Sequence, residues 1–183
     1  MSDIETNDNT RIMKISLDNK KEKKIIEKKP RKKRIITEKN EWNKLIAEFQ
    51  DFSLLQLIEI LENTPDKIKI LGNHIRSKIR GYASQDKEKK ILDETKFIQY
   101  QEILDLLKNS QFHCHYCKEE VILLYEYVRE PKQWTLERKN NDYGHNRDNV
   151  VLACLTCNLK RRCMNMERYE LTKQMSIIEK LDT

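Results

Sequence analysis

Apolar residues are sparse over residues 1–40 and become periodic from Trp42 onward. Trp42, Leu45, Ile46, Phe49 and Phe52 recur at i, i+3, i+4 and i+7 spacing, which predicts one buried helical face. Leu54 to Leu61 (LLQLIEIL) continues a helical pattern until Asn63-Thr64-Pro65-Asp66 interrupts it. A further helix is expected over residues 66–80, with Gly81 as its stop. Another is expected over residues 93–108, burying Phe97, Ile98, Ile103, Leu104 and Leu107.

Beyond residue 110 the pattern shortens. Val121 to Val128 (VILLYEYV) reads as a strand that Pro131 ends. Residues 134–139 read as a second strand and residues 140–149 as a polar loop rich in Asn, Asp and Gly. Residues 150–154 read as a third strand. A helix is expected to begin near Asn158 and to continue or restart to Leu181, packing Leu171, Met175, Ile178 and Leu181 on the body. The expected fold is α+β. A helical subdomain (residues 41–110) precedes a strand–loop–strand–helix unit with a C-terminal helix (residues 111–183).

Composition adds limits. Charged residues make up 36% of the 183-residue chain, and no apolar run approaches the roughly 18 residues of a membrane span. A soluble protein with no membrane partner is expected. Met1 is followed by polar and acidic residues, so no secretory leader is expected. The net charge of +6 is uneven. Residues 20–39 hold 11 Lys/Arg against 3 Asp/Glu, while residues 40–183 hold 23 of each. Residues 1–40 lack the apolar surface that offsets chain entropy and are expected to be a disordered basic tail. Its run Lys28 to Arg34 (KKPRKKR) would suit DNA phosphates or nuclear import, or would only solubilise. Arg76, Lys78 and Arg80 lie near Gly81 and Tyr82, as a DNA-backbone contact or a solvated helix face.

The cysteines carry the sharpest signal. Cys114/Cys117 and Cys154/Cys157 are two Cys-x-x-Cys knuckles, matching the ligand count and spacing of a structural zinc site. Four thiols in this arrangement suit an intracellular, reducing compartment better than a disulfide framework. His113 and His115 flank Cys114 as alternative ligands. Cys163 is expected to be a small buried side chain.

The first knuckle, Leu136-Glu137-Arg138, Gly144, Asp148-Asn149-Val150 and Cys154-x-x-Cys157-Asn158-x-Lys160 occur in an order that resembles the zinc-containing HNH (ββα-metal) endonucleases. The match covers roughly residues 112–165. The resemblance implies a DNA endonuclease with structural Zn²⁺ and catalytic Mg²⁺ or Mn²⁺. It places the catalytic cation on Glu137 and Asn158, and gives Asn149 a role in orienting the loop. Arg138 stands where such enzymes carry their base His. It can grip a phosphate oxygen but cannot accept a proton. His145 in the loop is the replacement candidate, because its pKa suits a base. Lys160, Arg161 and Arg162 at the following helix are expected on DNA phosphates. Two other readings remain: a non-catalytic zinc module that binds nucleic acid, and an interaction protein in which zinc only holds the fold.

Overall fold

The computed structural model of the protein describes residues 31–38, 40–49 and 51–181. The expected tail therefore lies, over residues 1–30, outside the described residues. Residues 31–38 depart from that expectation, because they pack on the body. Val128 N–H donates to the Lys32 carbonyl (2.9 Å) and Arg34 N–H to the Glu126 carbonyl (2.9 Å). Arg31 pairs with Glu130 at 2.5 Å and Lys33 with Glu126 at 3.4 Å. Two acidic residues and the free backbone of residues 126–128 thus capture the second half of the basic run. A 3₁₀ turn, Ile35–Glu38, follows.

Four helices come next: α1 Asn40–Phe49, α2 Leu54–Asn63, α3 Lys69–Glu88 and α4 Tyr100–Asn109. Trp42, Leu45 and Phe49 bury one face of α1. Ser53 starts α2 with a capping box, its hydroxyl taking Gln56 N–H (3.3 Å) while Gln56 Oε1 takes Ser53 N–H (2.8 Å). Helix α3 does not stop at Gly81. Glycine costs about 1 kcal/mol in a helix interior, and the turns beyond it carry Tyr82 and Asp86 into contacts that outweigh this. Helix α4 starts later than expected, at Tyr100, with Glu102 Oε2 accepting Gln99 N–H (2.7 Å).

Strands β1 (Trp134–Arg138) and β2 (Val150–Cys154) form a two-stranded antiparallel sheet in which Trp134 faces Cys154 and Arg138 faces Val150. Helix α5 (Leu155–Arg161) follows directly, and α6 (Met166–Leu181) restarts after a short turn. The segment Val121 to Val128 alternates in burial like a strand but makes only isolated bridges, Ile122 to Gln133 and Tyr127 to Lys33. It meets the edge of β1 only at its start, where Trp134 N–H donates to the Ile122 carbonyl (3.4 Å), because farther along that edge Leu136 N–H donates to the Tyr82 hydroxyl.

Arg31–Thr183 forms one compact unit. One apolar cluster runs from Trp42 and Leu71 through Leu104 and Leu123 to Trp134, Leu152 and Tyr169. Helix α3 joins its two halves with a polar stripe at four-residue spacing: His74, Lys78, Tyr82 and Asp86. These side chains share one helical face, and each bonds a different part of the cysteine-bearing half. His74 reaches the Tyr125 hydroxyl (3.2 Å), and Lys78 donates to the Trp134 carbonyl. Tyr82 OH accepts Leu136 N–H (3.0 Å), and Asp86 holds His145. No described helix is long and apolar enough to cross a membrane.

Candidate metal centre and its surroundings

Two turns bring the four cysteines together. In the first knuckle, Cys114 N–H donates to the Glu119 carbonyl (2.8 Å) and Lys118 N–H to the Cys114 carbonyl (3.0 Å). Lys118 takes a left-handed φ of 57° to close that turn. In the second, Cys154 caps α5, its sulfur accepting Cys157 N–H at 3.4 Å. The sulfurs of Cys114, Cys117, Cys154 and Cys157 all lie within 4.8 Å of one another, and none is in a disulfide. A tetrahedral zinc with Zn–S near 2.3 Å holds its sulfurs about 3.8 Å apart. Cys117 Sγ and Cys154 Sγ are 3.9 Å apart.

The protons report the same crowding. S–H groups of Cys154 and Cys157 stabilise the Cys114 thiolate and pull its pKa far down, and that charge pushes the Cys154 and Cys157 thiols up. Four sulfurs this close need a cation to lose their remaining protons. The donor set fits zinc, and the four cysteines form a site that can hold such a metal. His113 is turned away, its Nδ1 lying 2.5 Å from the Gln111 carbonyl oxygen. His115 pairs with Glu170 at 2.6 Å. Cys163 is exposed, contrary to expectation, because α5 ends at Arg161 before reaching it.

Next to this centre, α5 packs on one face of β1. Asn158 and Arg161, three apart on the helix, face Thr135 and Glu137, two apart on the strand. Asn158 Nδ2 donates to Thr135 Oγ1 (3.2 Å) and to the Leu136 carbonyl (3.4 Å). Arg161 pairs with Glu137 Oε1 and donates to the carbonyls of Arg138 (2.8 Å) and Lys139 (3.0 Å). The expected DNA contact at Arg161 is therefore corrected: this side chain is 0% exposed. Burial raises the Glu137 pKa, and Arg161 opposes that shift. Among the described residues, Glu137 Oε2 and Asn158 Oδ1 take no hydrogen bond.

The loop of residues 140–149 is held from several sides. Asn149 Nδ2 donates to the carbonyls of Asn140 (2.9 Å) and Gly144 (3.0 Å), while its Oδ1 accepts Asn140 N–H (3.0 Å). Arg138 spends one Nη on the carbonyls of Asn141 (3.2 Å) and Tyr143 (3.3 Å). His145 is buried, not an open loop residue. Its Nδ1 lies 2.8 Å from Asp86 Oδ1, its backbone N–H is 2.6 Å from Asp86 Oδ2, and its ring centroid is 4.6 Å from that of Tyr82. Burial lowers the His145 pKa and Asp86 opposes the shift.

The remaining basic candidates divide. Lys160, Arg162, Arg76 and Arg80 are exposed, and Arg76 lies over the Tyr100 ring at 4.4 Å. Lys78 turns inward, over the Trp134 ring at 4.3 Å, and is corrected from surface contact to interior anchor. Burial, then Arg34, pushes its pKa down to about 7. The sequence reading missed Asp86, and took Tyr82 only as part of a DNA-backbone contact or a solvated helix face. Their signal was the four-residue spacing with His74 and Lys78. No family model matches the chain, and the comparisons with curated proteins and with solved structures found no match.

Proposed function

We propose that the protein is a metal-dependent DNA endonuclease of the HNH (ββα-metal) type, with a structural zinc on its four cysteines. The observation that carries the reading is the strand–strand–helix unit itself. Glu137 at the end of β1 and Asn158 on α5 lie on facing surfaces, each with an oxygen that takes no hydrogen bond among the described residues. A carboxylate and an amide oxygen suit Mg²⁺ or Mn²⁺, which keep several waters and need few protein ligands. A divalent cation held there neutralises charge building on the phosphoryl oxygens. Asn149 and Arg138 shape the loop, His145 takes the proton of the attacking water, and the exposed Lys160 and Arg162 meet DNA phosphates.

A second reading, a non-catalytic nucleic-acid-binding zinc module, is favoured by one contact. Arg161 already neutralises Glu137, and a carboxylate so paired has less to offer a cation. Supercoiled plasmid separates the two. The purified protein should nick or cut it with Mg²⁺ or Mn²⁺ and stop when the divalent ion is omitted, with zinc still bound. Glu137→Gln and Asn158→Ala should each lose most cleavage at unchanged zinc content. Full activity in both variants overturns the cation assignment. Binding without cleavage by the wild-type protein, across pH 6–9, selects the second reading.

A further inference from the structure

We infer that Asp86 on α3 is the positioning residue of a relocated general base, holding His145 in the tautomer that leaves Nε2 free to take a proton. The inference rests on the endonuclease reading and adds to it a residue from the helical half of the chain.

The geometry is two-pointed. One carboxylate oxygen takes the His145 backbone N–H (2.6 Å) and the other faces the ring Nδ1 (2.8 Å). An ionised carboxylate only accepts, so the ring proton must sit on Nδ1. In the neutral imidazole Nε2 then carries the lone pair, and it takes no hydrogen bond among the described residues. Tyr82 backs the ring, and its hydroxyl is tied to Leu136 N–H, one residue from Glu137. Asp86 is 0% exposed and His145 5%. An interior site of this kind makes the orientation rigid and keeps the pair unscreened.

Gly144 makes the approach feasible. A Cβ there would lie 2.7 Å from the Ile91 carbonyl oxygen and 2.8 Å from Asp86 Oδ2. Any larger residue would push the loop off the carboxylate it grips. The loop is also strapped to the chain before α4, with Ile98 N–H donating to the His145 carbonyl (3.0 Å) and Arg147 N–H to the Lys96 carbonyl (3.0 Å).

In hydrolysis, water gives a proton to Nε2 as its oxygen bonds to phosphorus. The P–O ester bond breaks, and the leaving oxygen takes a proton from solvent. Asp86 stays ionised and stabilises the imidazolium, which then returns its proton to solvent. Such a pair replaces a base His beside Glu137, where Arg138 stands.

The test has two arms. Nitrogen NMR of the zinc-loaded full chain should show Nδ1 protonated and Nε2 bare in the wild type near pH 7.5. In Asp86→Asn, the amide oxygen can keep the backbone N–H while the NH₂ faces Nδ1, so the ring should flip to Nε2–H. Cleavage by Asp86→Asn should fall about 10²–10⁴-fold in kcat, with KM for DNA little changed. Gly144→Ala should show a partial loss of the same kind. An Nε2–H tautomer in the wild type overturns the inference without needing any variant to fold. A wild-type rate in Asp86→Asn overturns it while leaving the endonuclease reading intact. A wild-type protein that cleaves nothing overturns that reading, and with it the catalytic use of the pair, whatever the tautomer.

Discussion

Replacing Arg161 with Met should cost the fold far more at pH 7.5 than at pH 4.5. The guanidinium is 0% exposed and the Glu137 side chain opposite it 6%. Removing one partner of a buried pair leaves a bare charge, worth about 3–5 kcal/mol. Protonation caps that penalty. Neutralising a carboxyl of ordinary pKa near 4.3 at pH 7.5 costs about 4 kcal/mol. The carbonyls of Arg138 and Lys139 also lose their donor, adding about 1 kcal/mol. The total of about 5 kcal/mol is a large share of the roughly 5–15 kcal/mol that holds a domain together. Near pH 4.5 the carboxyl takes a proton readily, and only about 1–2 kcal/mol should remain. The sign follows from Glu137, whose folded pKa is raised. Its neutral form supports the fold below the unfolded pKa, and that support is lost as pH rises through the folded value. Removing Arg161 deepens this loss. Urea unfolding followed by the fluorescence of Trp42 and Trp134, both 0% exposed, reads the difference. Adding Glu137→Gln to the Arg161→Met protein should recover about 3 kcal/mol at pH 7.5. An equal cost at both pH values, or no recovery in the double variant, would refute the reasoning.

Stripping the metal should unfold the cysteine unit, since structural zinc sites are worth about 10–16 kcal/mol in small peptides; metal analysis finding well under one zinc per chain in protein still folded by circular dichroism would sink this. Stability should climb with pH in two windows set by α3. His74, pushed down to about 3 by burial and then Arg34, binds fewer protons folded than unfolded between pH 3 and its ordinary 6.5. Lys78, pushed down to about 7, does the same between pH 7 and its ordinary 10.5. Stability therefore rises across each window. His74→Gln should flatten the lower rise and Lys78→Met the upper one in urea midpoints taken every pH unit; slopes unchanged by both would contradict the assignment.

Local signals were legible in the sequence. The knuckle spacing located the four cysteines that converge, apolar periodicity located α1 and α2 to within a few residues and the end of α4 but not its start, and apolar and β-branched residues located β1 and β2. Partnership over distance was not legible. Val121 to Val128 has strand composition, but strand pairing depends on an available edge. Arg161 looks like its exposed neighbours Lys160 and Arg162, and only its register on α5 opposite Glu137 turns it inward. The stretch from His74 to Asp86 reads as a charged surface because Arg76 and Arg80 dominate it. The inward stripe is the complementary set at four-residue spacing, and its partners lie about 50 residues or more away. Gly81 looked like a stop because a local rule cannot weigh the tertiary contacts that carry α3 past it.

The backbone of the facing pair Leu136 and Leu152 has a consequence for how the molecule behaves in company. At this register both residues point their polar groups outward, away from the partner strand. Leu136 N–H is taken by the Tyr82 hydroxyl and its carbonyl by Asn158, while the Leu152 carbonyl is taken by His115 N–H at 2.8 Å. A two-stranded ribbon is all edge, and a bare edge is a template for another chain. Here a tyrosine from α3 blocks one rim and the first cysteine knuckle blocks the other. Loss of the metal would then do more than loosen a fold: with His115 released, the rim of β2, an apolar Val-Val-Leu-Ala-Cys strand, would be bared to solvent. The metal-free protein should self-associate through that strand, and thioflavin binding on chelation is where such an aggregate would first be seen.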